Sequence, residues 1–379
     1  MNFDFTEEAI ILRDSTKRFV EKELRPIQRE VEESGQIPDH VLAKMKELGY
    51  FGLTIPAEYG GSEISLVDYA LVIMELSKTN YCYNMILLTH NGIGSHGIVR
   101  MGSPEQKAKY LPRMATGELV AAFALTEPNA GCDAAAIQTT AVKDGDSYVL
   151  NGRKQFITNG PIADVFTVMA YTDKSKGYKG MTAFIVEKDT PGFFLGRTHE
   201  TMGGHGCHEA ELIFEDCRVS AEAVLGQEGQ GFISAMKILD EGRIDLGAVC
   251  VGASEYILDL SLDYAKQRVQ FGKPIAENQA IQWMLADMDT EIYAAKMMLL
   301  NAAWLYDQGQ RITHHAARLK LFASEMFNRV ADRGVQIHGG MGWMRESPVE
   351  WFYRDSRITR IVEGTSEIMR MVISRSLLR

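Results

Sequence analysis

Close to the end of the chain stands Ile361-Val362-Glu363-Gly364-Thr365-Ser366-Glu367, where a carboxylate follows an apolar pair and precedes a flexible glycine turn. Apolar surroundings raise a carboxylate's pKa towards the working pH, which suits it to act as a general base. A lone glutamate near a C-terminus is ordinarily solvated surface, so other groups have to decide the matter. A second acidic stretch, Asp240-Glu241-Gly242-Arg243, sets two carboxylates beside a guanidinium; a helix-surface ion pair accounts for it equally well. Arg268 offers the fixed bidentate donors that suit a pyrophosphate, although beside Lys266 and Lys273 it also reads as a charged helix end. Thr126 and Thr158 are hydroxyls in β-forming runs, and most such threonines are plain strand surface.

These groups lie on a chain whose periodicity changes twice. From Thr6 to about Glu118 apolar residues return at helical spacing after a Thr6-Glu7-Glu8 cap, and Pro26, Pro38, Pro56 with Gly60-Gly61, and Gly102-Ser103-Pro104 cut the run into several helices. From Val120 the pattern turns to short β-forming runs: Ala121–Leu125, Tyr148–Leu150, Val165–Tyr171, Met181–Val186 and Glu211–Phe214, with a hairpin signal at Asp144-Gly145-Asp146. No helices interleave them, so an antiparallel sandwich or barrel is expected rather than a parallel sheet. Past Gly226-Gln227-Glu228-Gly229-Gln230-Gly231 come amphipathic stretches at Phe232–Ile257, Leu258–Arg268, Gln279–Gln308 and Thr313–Ile337. The expected fold class is α+β: a helical domain over 1–118, a middle β domain over 119–228, and a four-helix-bundle-like domain over 229–379. Gly92-Ile93-Gly94-Ser95-His96-Gly97 matches a dinucleotide fingerprint, but Gly102-Ser103-Pro104 stops its helix within a turn or two and no second parallel strand follows. A glycine-rich helix that lets a neighbour approach closely is the better reading.

Composition narrows the function classes. At 379 residues the chain has room for two or three domains, and a formal net charge of -10 opposes attraction to nucleic-acid phosphates or anionic membranes. The five cysteines are scattered, with no C-x-x-C pair for a metal or a redox disulfide, so no metal is expected and a reducing compartment fits. The opening Met1-Asn2-Phe3-Asp4-Phe5 lacks the basic and apolar regions of a signal peptide, and no uncharged run is long enough to span a bilayer. A cytoplasmic protein is expected, unless an organellar presequence was removed.

Five segments combine: Leu125-Thr126-Glu127-Pro128-Asn129-Ala130-Gly131-Cys132-Asp133, Phe156-Ile157-Thr158-Asn159-Gly160, Arg268-Val269-Gln270-Phe271-Gly272, Gln336-Ile337-His338-Gly339-Gly340, and Glu363-Gly364-Thr365-Ser366-Glu367. In this order and spacing they resemble the acyl-CoA dehydrogenase family, over essentially the whole chain. The resemblance implies FAD as cofactor, with Thr126 and Thr158 at the flavin edge and Phe156 against the ring. It implies that Arg268, Phe271, Gln336, Gly339 and Gly340 hold the pyrophosphate and adenosine end across a subunit boundary, in a homotetramer. Glu363 is implied as catalytic base, its backbone N–H helping to polarise the thioester carbonyl, with Thr365 and Glu367 near the FAD. Cys132, Asp240, Arg243 and Gly364 fall on the substrate side. An alternative base in some branches sits where this chain has Gly242, and Glu241, about 100° around a helix, should point elsewhere. Two residues depart from the family pattern: Cys132 stands where Ser or Thr is frequent, and Phe156 where Trp is frequent.

The implied activity is α,β-dehydrogenation of an acyl-CoA to a trans-2-enoyl-CoA in fatty acid metabolism, with electrons passed to an electron-transfer flavoprotein. Same-fold alternatives are an acyl-CoA oxidase, an enoyl-CoA reductase and a dehydrogenase of carrier-bound acyl groups. A non-catalytic FAD- or acyl-CoA-binding scaffold is the rival from another class. Met85–Gly97 resembles the helix lining the acyl pocket, and its Thr89, His90, Asn91 and His96 are expected in satisfied internal hydrogen bonds. Asn84 stands where glutaryl-specific relatives carry arginine, which disfavours that substrate.

Overall fold

The computed structural model describes residues 5–378. Thr6 caps the first helix, Glu7–Phe19, by accepting from Ala9 N at 3.1 Å. Helices follow at Leu66–Leu76, Tyr81–Leu87 and Pro104–Ala115, the last opened by a capping box between Ser103 and Gln106 with Pro104 in its first turn. Tyr81–Leu87 runs on through a wide, π-helical turn at Leu88–Gly94 into His96–Met101. That segment holds the fingerprint-like glycines: a Cβ at Gly94 would come 2.6 Å from Thr89 O and 2.9 Å from Ala121 Cβ. The glycines serve close packing of this helix on the first strand.

The middle of the chain is a largely antiparallel sheet of eight strands: β1 Ala121–Ala124, β2 Thr140–Asp144, β3 Ser147–Thr158, β4 Val165–Tyr171, β5 Met181–Glu187, β6 Phe193–Thr198, β7 Glu209–Ser220 and β8 Val224–Leu225. The order is β6-β7-β3-β2-β4-β5-β8, with β1 added parallel to β4 and β2 touching β4 in parallel at Thr140 and Tyr171. Asp144 pairs with Ser147 across the expected hairpin, whose Gly145 adopts φ 61°.

Three long helices, Gly231–Gln267, Gln279–Asp307 and Thr313–His338, with Pro348–Ile358 and Ser366–Leu377, form the last region. Ile244, Val249 and Ile257 of the longest helix share one core with Leu71 and Ile86 of the N-terminal helices and with Leu319 and Phe327. The helical regions are thereby packed on each other, and β3, β4 and β7 keep a separate core around Leu150, Phe166 and Leu212. Gly231–Gln267 therefore runs past the place where all three regions meet. No helix of the described residues is long and apolar enough to cross a membrane.

Candidate active site

Glu363 lies in the turn between Pro348–Ile358 and Ser366–Leu377, with φ 56°, followed by Gly364 at φ 103°. A non-glycine residue in the left-handed region costs roughly 1–2 kcal/mol, so neighbours must impose it. Two buried cations do so. Arg243 Nε donates to Glu363 O at 3.1 Å, and Lys320 Nζ donates to Gly364 O at 2.7 Å. Thr365 then caps the last helix, accepting from Ile368 N at 3.4 Å. Held this way, the Glu363 carboxylate lies against Gly242: a Cβ there would stand 2.9 Å from Oε1 and 3.0 Å from Oε2. Oε2 is shut off from solvent and has no hydrogen-bond partner. Burial raises Glu363 to about 7, against the opposing pull of Arg243 and Lys320. Among the described residues its backbone N–H donates to no carbonyl, whereas Val362 N is taken by Ile358 O.

The Asp240–Arg243 stretch divides its work. Arg243 Nη1 donates to Asp240 Oδ1 at 2.6 Å, and Thr313 Oγ1 donates to Asp240 Oδ2 at 2.6 Å, so the carboxylate orients the guanidinium. Burial nonetheless leaves Asp240 above the usual carboxylate range. Glu241 points elsewhere, as its helical phase requires. It sits between His96 Nδ1 at 2.8 Å, Arg100 at 2.6 Å and the Tyr306 hydroxyl at 2.8 Å. Burial would raise Glu241, but His96, Arg100 and Tyr306 together bring it below its ordinary value. Burial lowers Lys320 to about 8.

The expected internal role of the acyl-side helix holds only in part. His90 is fully used: Ala121 N donates to Nδ1 at 3.0 Å, while Nε2 lies 3.1 Å from both Phe51 O and Met114 O. Burial lowers its pKa to about 4, so the ring is neutral with its proton on Nε2. Asn91 uses only Nδ2, and Thr89 Oγ1, Asn91 Oδ1 and both polar atoms of Asn84 are buried without partners.

The middle region presents its residues to the same place. Thr126 O accepts from Gln155 N at 2.9 Å, setting the Thr126 loop beside Phe156. Phe156 has φ 59°, and its ring, 55% exposed, lies 5.1 Å from the His199 ring. Thr158 pairs with Glu209, which with Met85, Ile361 and Val362 lines a cavity of about 220 Å³. Cys132 is exposed, with Sγ 3.8 Å from Thr365 Oγ1, so the β region meets the Glu363 turn directly. One positioning pair was not read from sequence: buried Lys154 Nζ is 2.8 Å from Glu127 Oε1 and 3.0 Å from Leu125 O, clamping both sides of Thr126. A lysine inside a strand two residues before Phe156 was the available signal.

The remaining residues lie elsewhere. Arg268 follows the long helix 26 residues beyond Gly242, roughly 39 Å along its axis. There Val269–Gln270 and Lys273–Pro274 form a hairpin whose turn, Phe271 at φ 52° and Gly272 at φ 79°, leaves Phe271 99% exposed. Gln336, Gly339 and Gly340 are exposed at the end of Thr313–His338; Gly339 ends that helix at φ 57°, and a Cβ at either glycine would meet nothing within 4 Å. Glu367 is exposed in the first turn of the last helix, below its ordinary pKa through its own backbone N–H and Thr365. Within one chain, Arg268 and the Gln336 segment are thus not brought to Glu363. An open phenyl ring and two half-buried threonines beside the cleft fit a flat ring with a polar edge, and an exposed guanidinium fits a pyrophosphate tail.

Residues 6–118, 122–217 and 229–378 match the family profiles described as the N-terminal, middle and C-terminal domains of acyl-CoA dehydrogenase. The chain is 45% identical to acryloyl-CoA reductase (NADH) of Anaerotignum propionicum, across 100% of this chain and 96% of that one. Butyryl-CoA dehydrogenase from Megasphaera elsdenii superposes with TM-score 0.97 at 41% identity, covering 100% of both chains. A chain from a structure of the electron transferring flavoprotein of Acidaminococcus fermentans superposes with TM-score 0.98 at 44% identity, again covering 100% of both.

Proposed function

The chain belongs to the acyl-CoA dehydrogenase family, and from that premise we propose that Glu363 removes the α-proton of an acyl-CoA thioester as the β-hydrogen leaves as hydride. The observation that carries this reading is the Glu363 carboxylate, unpaired at Oε2 and lodged in the space that Gly242 leaves. With its pKa raised to about 7, it is a strong enough base to take a proton while a substantial fraction, about half, is ionised at neutral pH. Arg243 and Lys320 act through the backbone carbonyls they hold, keeping the turn and hence the carboxylate in place. The free N–H of Glu363 is available to the thioester oxygen as negative charge gathers there.

FAD, the cofactor of the family, supplies the two-electron acceptor when bound. Phe156, Thr126 and Thr158 would hold its ring, with Thr365 and Glu367 nearby. Arg268, Phe271, Gln336, Gly339 and Gly340 would hold the pyrophosphate and adenosine end supplied to a neighbouring copy, which the roughly 39 Å between Gly242 and Arg268 on one helix supports. A homotetramer, the family's usual assembly, accommodates that exchange. Cys132, Asp240, Arg243 and Gly364 stand on the substrate side. An electron-transfer flavoprotein takes the electrons onward, in a cytoplasmic setting that suits five free cysteines.

Likeness to an acryloyl-CoA reductase favours a second direction on the same residues, in which protonated Glu363 returns the proton to Cα of an enoyl-CoA. An anaerobic titration of the purified flavoprotein tests the proposal. Saturated acyl-CoA should bleach the flavin in the parent and leave Glu363→Gln oxidised although it still binds the thioester. Near-parental reduction in that variant would place the base elsewhere.

A further inference from the structure

One turn along the helix from Gly242 is a second carboxyl with no partner. Asp245 is 2% exposed and its Oδ1 is shut off from solvent with nothing to bond to. Three residues separate it from Gly242, so both face the same way, roughly 4.5 Å apart along the axis. Gly92, on the wide turn of the acyl-side helix, is kept free of a side chain here: a Cβ would stand 3.0 Å from Asp245 Oδ2. Tyr69 and Asn91 complete the spot. Tyr69 is 1% exposed, and its hydroxyl, raised by burial and then by Asp245, makes no well-formed hydrogen bond although Asn91 lies near enough to interact with it. Asn91 is fully buried and leaves Oδ1 unused while Nδ2 donates to Tyr50 O at 2.8 Å.

Two oxygens that can accept, Asp245 Oδ1 and Asn91 Oδ1, are therefore buried without a well-formed hydrogen bond, with the Tyr69 hydroxyl near both. Leaving such groups unpaired in a protein interior is costly, and a pocket built for hydrocarbon alone would place apolar side chains there. Asp245 Oδ1 and Asn91 Oδ1 both lack a hydrogen-bond donor. We propose that Asp245, with Tyr69 and Asn91, is a specificity site for the distal end of the acyl group, selecting short acyl-CoAs whose chain ends in a hydrogen-bond donor, a hydroxyl or an ammonium. This rests on the reading of Glu363 as the base, which places Cα beside Gly242 and the chain's far end about one helical turn away. Burial, Glu363 and Glu241 all hold Asp245 well above the ordinary carboxylate range, with no cation set against them. A neutral carboxyl exchanges hydrogen bonds with a hydroxyl, whereas a nearby ammonium favours the ionised form, so that the carboxyl releases its proton to solvent and pairs with the cation.

The test compares butyryl-CoA with its terminally hydroxylated and terminally aminated counterparts on the FAD-loaded protein. Dissociation constants come from calorimetry and flavin reduction from anaerobic stopped flow, for the parent, Asp245→Asn and Asp245→Ala. The parent should bind one of the two polar substrates about tenfold or more tightly than butyryl-CoA, and Asp245→Ala should abolish that advantage. Asp245→Asn, which preserves shape, should keep a preference for the hydroxylated chain and lose one for the aminated chain, which identifies the donor. Should butyryl-CoA bleach the parent flavin with no preference for either polar chain, the specificity site is refuted and the dehydrogenase reading stands. Should all three thioesters bind with equal affinity and none bleach it, both fail together.

Discussion

Gly242→Ala is the sharpest perturbation of the proposed chemistry, because it adds one methyl group and removes nothing. The new Cβ would stand 2.9 Å from Glu363 Oε1, 3.0 Å from Oε2 and 3.1 Å from Cδ. Comfortable contact between such atoms begins at about 3.5 Å, so the carboxylate has to retreat by roughly half an ångström. Its backbone cannot follow, since Arg243 and Lys320 hold the carbonyls of Glu363 and Gly364. The side chain must turn instead, away from the substrate's α-carbon. A misplacement of about 1 Å can cost about 100-fold in rate, and half of that predicts a loss of about tenfold or somewhat more. Stability should move little: alanine gains about 1 kcal/mol over glycine inside a helix, against an overpacking cost of about 1–3 kcal/mol. Stopped-flow flavin reduction, thermal unfolding and flavin content distinguish the two effects. A Gly242→Ala protein that reduces its flavin at the parental rate would show that the carboxylate does not work from this position.

Further consequences concern charge and assembly. Glu363 is raised from 4.5 to about 7, so the folded protein holds a proton that the unfolded chain releases, and stability contributed below about pH 4.5 is lost as the pH rises through about 7. Glu363→Gln should therefore be more stable than the parent above about pH 7, by up to about 3 kcal/mol, and the gain should vanish below about pH 4.5; equal unfolding curves at all pH values would contradict the buried placement. Flavin reduction in the parent should rise with pH through the same range, because only the ionised carboxylate can take the proton. Glu241→Gln should weaken folding by about 1–3 kcal/mol by removing the partner of Arg100 and His96, while flavin reduction by the surviving fold stays close to parental; a Glu363-like kinetic loss would make Glu241 the base. Arg268→Ala should lose FAD on dilution and loosen the oligomer, read by flavin retention and sedimentation, and unchanged values for both would remove Arg268 from the cofactor site.

Much of the architecture was legible because its periods are distinct. The hairpin at Gly145 and the cap at Thr6 follow from local backbone preferences, which need no tertiary information. The strand Phe193–Thr198 was not read, and its burial explains why. None of its residues is fully buried, so no alternation marks it, and it is held in place by pairing with β7. The helix Gly231–Gln267 was read as two amphipathic pieces. Every residue from Asp240 to Ser254 is buried, which erases the polar face from which a continuous period would be recognised.

The site divides along the same line. At Glu363 the apolar pair before it and the glycine after it suggested apolar surroundings, while the role of base was implied only by the resemblance of the whole segment; burial in the fold raises its pKa. What makes it usable was not local. Gly242 reads as a helix residue of poor propensity until the fold sets it against a carboxylate 121 residues away, where the missing side chain becomes the space the Glu363 carboxylate occupies. The same glycine stands where some relatives place their base, so one volume cannot hold a side chain at 242 and the Glu363 carboxylate together. Asp245 was hidden for the opposite reason. A charged residue on a long helix is ordinarily solvent-facing, and only packing against Gly92 and Tyr69 turns it into a buried, unpartnered acid beside the proposed path of the acyl chain. Chemistry carried by one side chain could be read from its neighbours in sequence, whereas chemistry created by two chain segments sharing a small volume required the fold.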